Sequence, residues 1–213
     1  GCLGAAVALK NMDGAEPFEL IIYGTPAEET FGSKVQMLER GCFRELDVAF
    51  MMHGGPNTCT DVKCLAQKSF NVTFHGKRAH AALAPEKGRS AFDAMLVAFQ
   101  GVEFLREHVP DDVRMHYCMT ELPGPSNVVP ATAKAEFSLR SFSKKELEDI
   151  SVRFQDIIKG AALIAGVDYE IQDGTFFFNK IPVLRLNQLL MDNAELAGAP
   201  QLAPPREKTG STD

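Results

Sequence analysis

The sequence predicts an α/β chain in which a β-α-β-β-α-β module is inserted into a second part built of apolar runs and helices. Three observations carry this. Between residues 65 and 176, strand-type and helix-type patterns follow one another in the order of a split βαβ fold. Before that stretch, two short apolar runs lie on either side of a helical pattern, the make-up of a βαβ unit. After it, one helical pattern returns. The expected division is 1–64, 65–176 and 177–213, with the outer two pieces forming a single interrupted domain.

The elements follow in order. "GCLGAAVALK" (1–10) reads as a helix of small residues. "PFELIIY" (17–23) is rich in apolar residues and reads as a buried strand. "FGSKVQMLER" (31–40) carries Phe31, Val35 and Leu38 at helical spacing, and Gly41 marks its stop. "ELDVAFMM" (45–52) is a second apolar run, ending at "HGGP". A βαβ unit makes its strands parallel through a right-handed crossover. The carboxyl ends of both strands then share one edge, where open α/β sheets bind ligands.

That edge would gather three polar residues. Glu28 and Glu29, in "YGTPAEETFGSK" (23–34), follow one strand, and His53 follows the other. Neighbouring residues on extended backbone project in opposite directions, so the two glutamates can serve different partners. Taken by spacing alone, the pair is equally well read as a solvated turn, and His53 as a strand-end histidine bonded to backbone. Together, a carboxylate and an imidazole are part of a metal ligand set.

The inserted module is read from five patterns. "KSFNVTFHG" (68–76) alternates Phe70, Val72 and Phe74 with polar residues, the mark of a half-buried strand. "SAFDAMLVAFQGVEFLREHV" (90–109) is an amphipathic helix stopped by Pro110. "VRMHYCMTEL" (113–122) and "TAKAEFSLRS" (132–141) are strands joined by the Pro- and Gly-rich "PGPSNVVPA". "SKKELEDISVRFQDIIKGAALIAG" (143–166) is a helix with Ser143 as N-cap, Glu146 completing a capping box and Gly166 at its end. "VDYEIQ" (167–172) is the last strand. "VLRLNQLLMDNAELAG" (183–198) is the returning helix. His80 lies just beyond a strand end in "GKRAHAALAPEKG", Asn127 lies in "GPSNVVP", and Arg140 ends a strand. His116 sits mid-strand and reads as a structural histidine.

Composition narrows the function classes. A net charge of −6 over 213 residues argues against nucleic acid as the partner, because phosphate binding needs a basic face. No apolar stretch approaches the roughly 20 residues that span a bilayer. Hydrophobic residues at 45% and charged residues at 23% are ordinary for a soluble globular protein. Five cysteines, an odd number with no CxxC pair, read as reduced thiols and so as a cytoplasmic protein.

Five motifs occur in one order along the chain: "GTPAEET", "MMHGGP", "FHGKRAHAALAPEKGRSAFDA", "RMHYCMTELPGPSNVVP" and the terminal "GSTD". In that order they resemble the M20 family of metallopeptidases and amidohydrolases, in particular the branch with aminobenzoyl-glutamate hydrolases and related dipeptidases. The resemblance implies a zinc-peptidase-like α/β catalytic domain and a ferredoxin-like lid that makes a homodimer. It implies hydrolysis of an amide bond in an N-acyl amino acid or dipeptide. Glu28 is the implied general base for a metal-activated water, and Glu29 and His53 are implied metal ligands. His80 is the implied lid histidine that polarises the scissile carbonyl, reaching its site across the dimer. Asn127 and Arg140 are implied to hold a substrate carboxylate, for which the planar fork of Arg is suited. The metal would be zinc or manganese, two ions in the complete enzyme, since carboxylate and imidazole ligands suit both. The family's other ligand segments are expected before Gly1 and after Asp213, so the chain corresponds to the middle half of an enzyme and is expected to be inactive alone. The alternative is a truncated homologue that acts as a dimerising or regulatory protein.

Overall fold

The computed structural model describes residues 1–14, 16–27, 32–207 and 209–211. Its elements run α1 (Cys2–Lys10), α2 (Ser33–Glu39), β1 (Ala66–His75), a 3-10 turn (Pro85–Lys87), α3 (Ala91–Arg106), β2 (Arg114–Glu121), β3 (Thr132–Ser141), α4 (Lys144–Ala165), β4 (Asp168–Phe177) and α5 (Leu184–Leu196). They form two compact units. One comprises Gly1–Thr60 and Val183–Arg206, the other Asp61–Pro182 and Glu207–Thr212.

The second unit is the expected β-α-β-β-α-β module. Its four strands make one antiparallel sheet in the order β2-β3-β1-β4. The central pair runs without a slip from Ala66 opposite Ser141 to His75 opposite Thr132. Alternation turns Phe70, Val72 and Phe74 of β1, and Ala133, Ala135, Phe137 and Leu139 of β3, to one face. Helices α3 and α4 cover that face with Met95, Ala98, Val102, Leu147, Ile150, Phe154 and Ile158, all buried. Phe137 sits against both Phe154, at 4.9 Å between ring centres, and Phe99, at 5.7 Å. Burying a side chain of this size is worth about 1.5–3 kcal/mol, so this face carries the stability of the unit. On the other face Asn71, His75, Lys134, Glu136, His116 and Cys118 stay exposed.

The helix ends are set by chemistry visible in the sequence. Ser90 Oγ accepts the Asp93 N–H at 3.1 Å and starts α3. Ser143 Oγ accepts the Glu146 N–H at 3.3 Å and starts α4. Gly166 ends α4 in the left-handed region at φ 67°, and the Val167 N–H returns to the Ala162 carbonyl at 3.1 Å. One detail departs from expectation. The Ser143 N–H donates to Ser141 Oγ at 3.1 Å, so the capping box is made in one direction only. Strand β4 also runs on to Phe177, five residues past its expected end, because β1 continues beside it to Gln67.

The first unit holds α1, α2 and α5. Its two chain pieces meet at Thr58, which bridges Leu202 and exchanges backbone hydrogen bonds with Gln201 and Ala203. The expected parallel strands at 17–23 and 45–52 do not form. Neither segment forms regular secondary structure, and neither has a ladder partner among the described residues. Ile22 is 51% exposed and Met52 67%. Parallel strands hold only when both faces are covered, and the described residues leave these apolar runs exposed. Among the described residues no parallel strand pair therefore forms the edge expected to gather Glu28, Glu29 and His53.

Candidate functional site

Glu28 and Glu29 lie outside the described residues. The residues flanking that segment are described: Ala27 has φ 61° and Gly32 φ 59°, and the Gly32 N–H donates to the Ala27 carbonyl at 3.2 Å. A positive φ is uncommon at alanine and costs energy. His53 is exposed, and its Nδ1 lies 2.7 Å from the Gly54 carbonyl oxygen. A carbonyl only accepts, so Nδ1 donates. That leaves Nε2 as the lone-pair nitrogen, the arrangement a ligating histidine uses.

Among the described residues no three His, Cys, Asp or Glu side chains gather as a metal-holding group. His53 is a fitting single ligand, but a tetrahedral centre needs more donors. The described residues do not by themselves fit a metal ion.

In the second unit the structure brings two of the expected residues together. The loop after β1 carries His80 and the loop before β3 carries Asn127. His80 bridges Val128, and the Ala81 N–H donates to the Asn127 carbonyl at 3.0 Å. His80 itself is exposed, and its Nδ1 accepts the Ala82 N–H at 3.2 Å. Both loops lie past the His75–Thr132 end of the central strand pair.

Arg140 is not part of this group. It sits near the opposite end of β3, between Gln67 of β1 and Arg114 of β2. Eight residues separate it from Thr132, about 26 Å at roughly 3.3 Å per residue. The Arg140 side chain is half-buried, and its Nε has no hydrogen-bond partner among the described residues. Arg114 beside it donates to the Asp111 and Val113 carbonyls, at 2.6 Å and 2.8 Å.

Two clusters were not expected. Arg106 clasps Glu103 at 2.8 Å and 3.1 Å, and the Tyr117 hydroxyl donates to the same carboxylate at 2.8 Å. The Arg106 bond, helped by Tyr117, holds the Glu103 carboxyl below its ordinary range, and the bond to Glu103 pushes the Tyr117 phenol up. The three-residue spacing of Glu103 and Arg106 was readable in the sequence, but the tyrosine reaching them from β2 was not. Near the His80 loop, Arg89 ties its guanidinium to the Gly88 carbonyl at 2.6 Å and the Glu86 carbonyl at 3.2 Å.

Comparison with known proteins finds a match over the central part of the chain and similarity over most of its length. Residues 66–164 match the peptidase dimerisation domain of the M20 group. The Xaa-Arg dipeptidase of Mus musculus is 30% identical over 197 residues, 92% of this chain and 46% of that protein. One of the p-aminobenzoyl-glutamate hydrolase polypeptides of Escherichia coli K12 is 32% identical over 185 residues, 84% of this chain and 38% of that protein. The chain thus spans about half or less of the length of these relatives. In fold it is similar to the aminobenzoyl-glutamate utilization protein of Klebsiella pneumoniae, with a TM-score of 0.62 at 23% identity, covering 83% of this chain and 47% of that one. Residues 66–164 thus match the M20 peptidase dimerisation domain, and the chain as a whole is similar to part of an Xaa-Arg dipeptidase and of a p-aminobenzoyl-glutamate hydrolase polypeptide.

Proposed function

We propose that the protein carrying this chain hydrolyses an amide bond in an N-acyl amino acid or dipeptide, at a site completed between two copies. The observation that carries this reading is the separation of Arg140 from His80 and Asn127 along β3. A small substrate cannot reach both ends of one sheet, about 26 Å apart. Two copies can bring the His80–Asn127 end of one to the Arg140 end of the other, and the dimerisation-domain match supports a homodimer.

In this site Arg140 and the partner subunit's Asn127 bind the substrate carboxylate, Arg140 through a charge-assisted fork. The partner subunit's His80 stabilises negative charge on the scissile carbonyl oxygen. Glu28 takes a proton from the attacking water and returns it to the leaving amine. Glu29 and His53 would be ligands of a zinc or manganese ion, and the described residues alone do not complete its site. Five free cysteines support a cytoplasmic setting.

The test is turnover of N-acyl-glutamate and dipeptide substrates by the protein that carries this chain. Glu28→Gln should lower kcat by about 10²–10⁴ with bound metal retained, and Glu29→Gln should lower metal content first. Turnover unaffected by Glu28→Gln overturns the assignment of the base. A dimer that turns over no such substrate favours a dimerising or regulatory role.

A further inference from the structure

The loop that carries His80 is closed at its base. The Lys77 N–H donates to the Arg89 carbonyl at 2.8 Å, and the Arg89 N–H returns to Lys77 at 2.9 Å. Both ends of the loop are then fastened to the segment that follows Asn127. The Gly76 N–H donates to Ala131 at 2.8 Å and the Ala91 N–H to Pro130 at 2.9 Å. Closer to the tip, the Val129 N–H donates to Ala79 at 2.9 Å and the Ala81 N–H to Asn127 at 3.0 Å.

Side-chain packing reinforces these bonds at one point. Gly88 is buried, with ordinary extended backbone at φ −89° and ψ 164°. Glycine is therefore not needed there for conformation. It is needed for space: a Cβ on Gly88 would lie 2.9 Å from Val129 Cγ1 and 3.0 Å from its Cβ and Cγ2. Val129 rests on the bare Cα of Gly88, so the Asn127 loop is a knob seated in the His80 loop. The imidazole is fixed as well. Its Nδ1 accepts the Ala82 N–H at 3.2 Å, which places the proton of the neutral ring on Nε2.

We propose that Gly88 and Val129 are positioning residues that lock the two loops into one unit, holding His80 and Asn127 at fixed spacing with His80 Nε2–H as an outward donor. This rests on the reading of His80 and Asn127 as substrate-facing groups. An Nε2–H donor is what a developing oxyanion requires, and fixed spacing lets one substrate meet both residues without reorganisation.

Nitrogen NMR on the 213-residue chain tests it, at about pH 9 where imidazoles are neutral. His80 is assigned by its loss in His80→Ala. The wild type should show an excess of the Nε2–H tautomer over that of a free histidine peptide, and slow exchange at the Ala81 and Val129 amides. Gly88→Val drives a side chain into Val129, whereas Val129→Ala removes the knob without a clash, so a folding failure of the first leaves the second. Each should speed Ala81 exchange about tenfold or more and return the tautomers to the free-peptide ratio, while Phe70 and Phe137 amides keep their protection. Gly88→Ala combined with Val129→Ala should recover part of the loss. Unchanged Ala81 exchange and tautomer ratio in both single variants overturns the proposal, as does an Nδ1–H tautomer in the wild type. Unimpaired turnover by His80→Ala in the active protein, with the loops still locked, would remove the catalytic reading and leave the locked pair standing.

Discussion

Glu103 holds Arg106 on its own helix and Tyr117 on the neighbouring edge strand, so one carboxylate joins α3 to β2. Tyr117 also stacks on Phe99, with ring centres 4.3 Å apart. The Glu103 carboxyl is held below its ordinary value of 4.5, so its contribution is present above that value and lost as pH falls through the lowered one. The Tyr117 phenol is held above its ordinary 10.0, so its contribution is present below that value and lost as pH rises through the raised one. Solvent reaches the cluster, so Glu103→Gln should cost no more than about 1 kcal/mol near neutral pH. Thermal melting against pH should show that difference shrinking in acid, and a difference constant with pH would contradict the assignment. Cys64 offers a second check. Burial pushes its thiol up, against the opposing pull of Lys180. Timed alkylation with mass spectrometry should label the exposed Cys2, Cys42 and Cys118 well before Cys64. Early labelling of Cys64 would mean that the second unit opens there.

Local signals set the inserted module. Alternation at 68–76 and 132–141, serine caps at Ser90 and Ser143, and the glycine stop at Gly166 each depend on residues within one turn or one strand, so each could be read from sequence. The parallel pair expected at 17–23 and 45–52 depended on distant cover for both faces, which no local pattern reports. The edge expected to gather Glu28, Glu29 and His53 depended on that pair. The closeness of His80 and Asn127 was hidden for a related reason, because it arises from backbone bonds between loops almost fifty residues apart. The caps and the core should respond separately to substitution. Ser143→Ala should cost about 1 kcal/mol by removing the acceptor for Glu146 N–H. Phe154→Ala should cost about 3–5 kcal/mol, since the ring is buried against Phe70 and Phe137 at 4.9 Å from each. Chemical denaturation measures both, and a larger loss for the cap than for the ring would contradict the view that the helix-covered face carries this unit.

The sheet of the second unit has His80 and Asn127 past one end and Arg140 near the other. If these three residues meet one substrate, as proposed above, that layout suits copies that exchange residues and suits poorly a site made within one chain. The uncovered sheet face is polar and mixed in charge, with Lys134 paired to Glu121 at 2.7 Å and His75 lying 3.4 Å from Glu170. No helix among the described residues is long and apolar enough to cross a membrane. Mixing two inactive variants of the protein that carries this chain tests the shared site directly. His80→Ala retains Glu28, and Glu28→Gln retains His80. A mixed dimer holds one intact site, formed by Glu28 of the first variant and His80 of the second. Half of randomly mixed dimers are of this kind, so activity should return to about a quarter of the wild-type rate. Mixed dimers confirmed by mass and yet without turnover, although each parent is folded and the wild type is active, would contradict a site shared between copies.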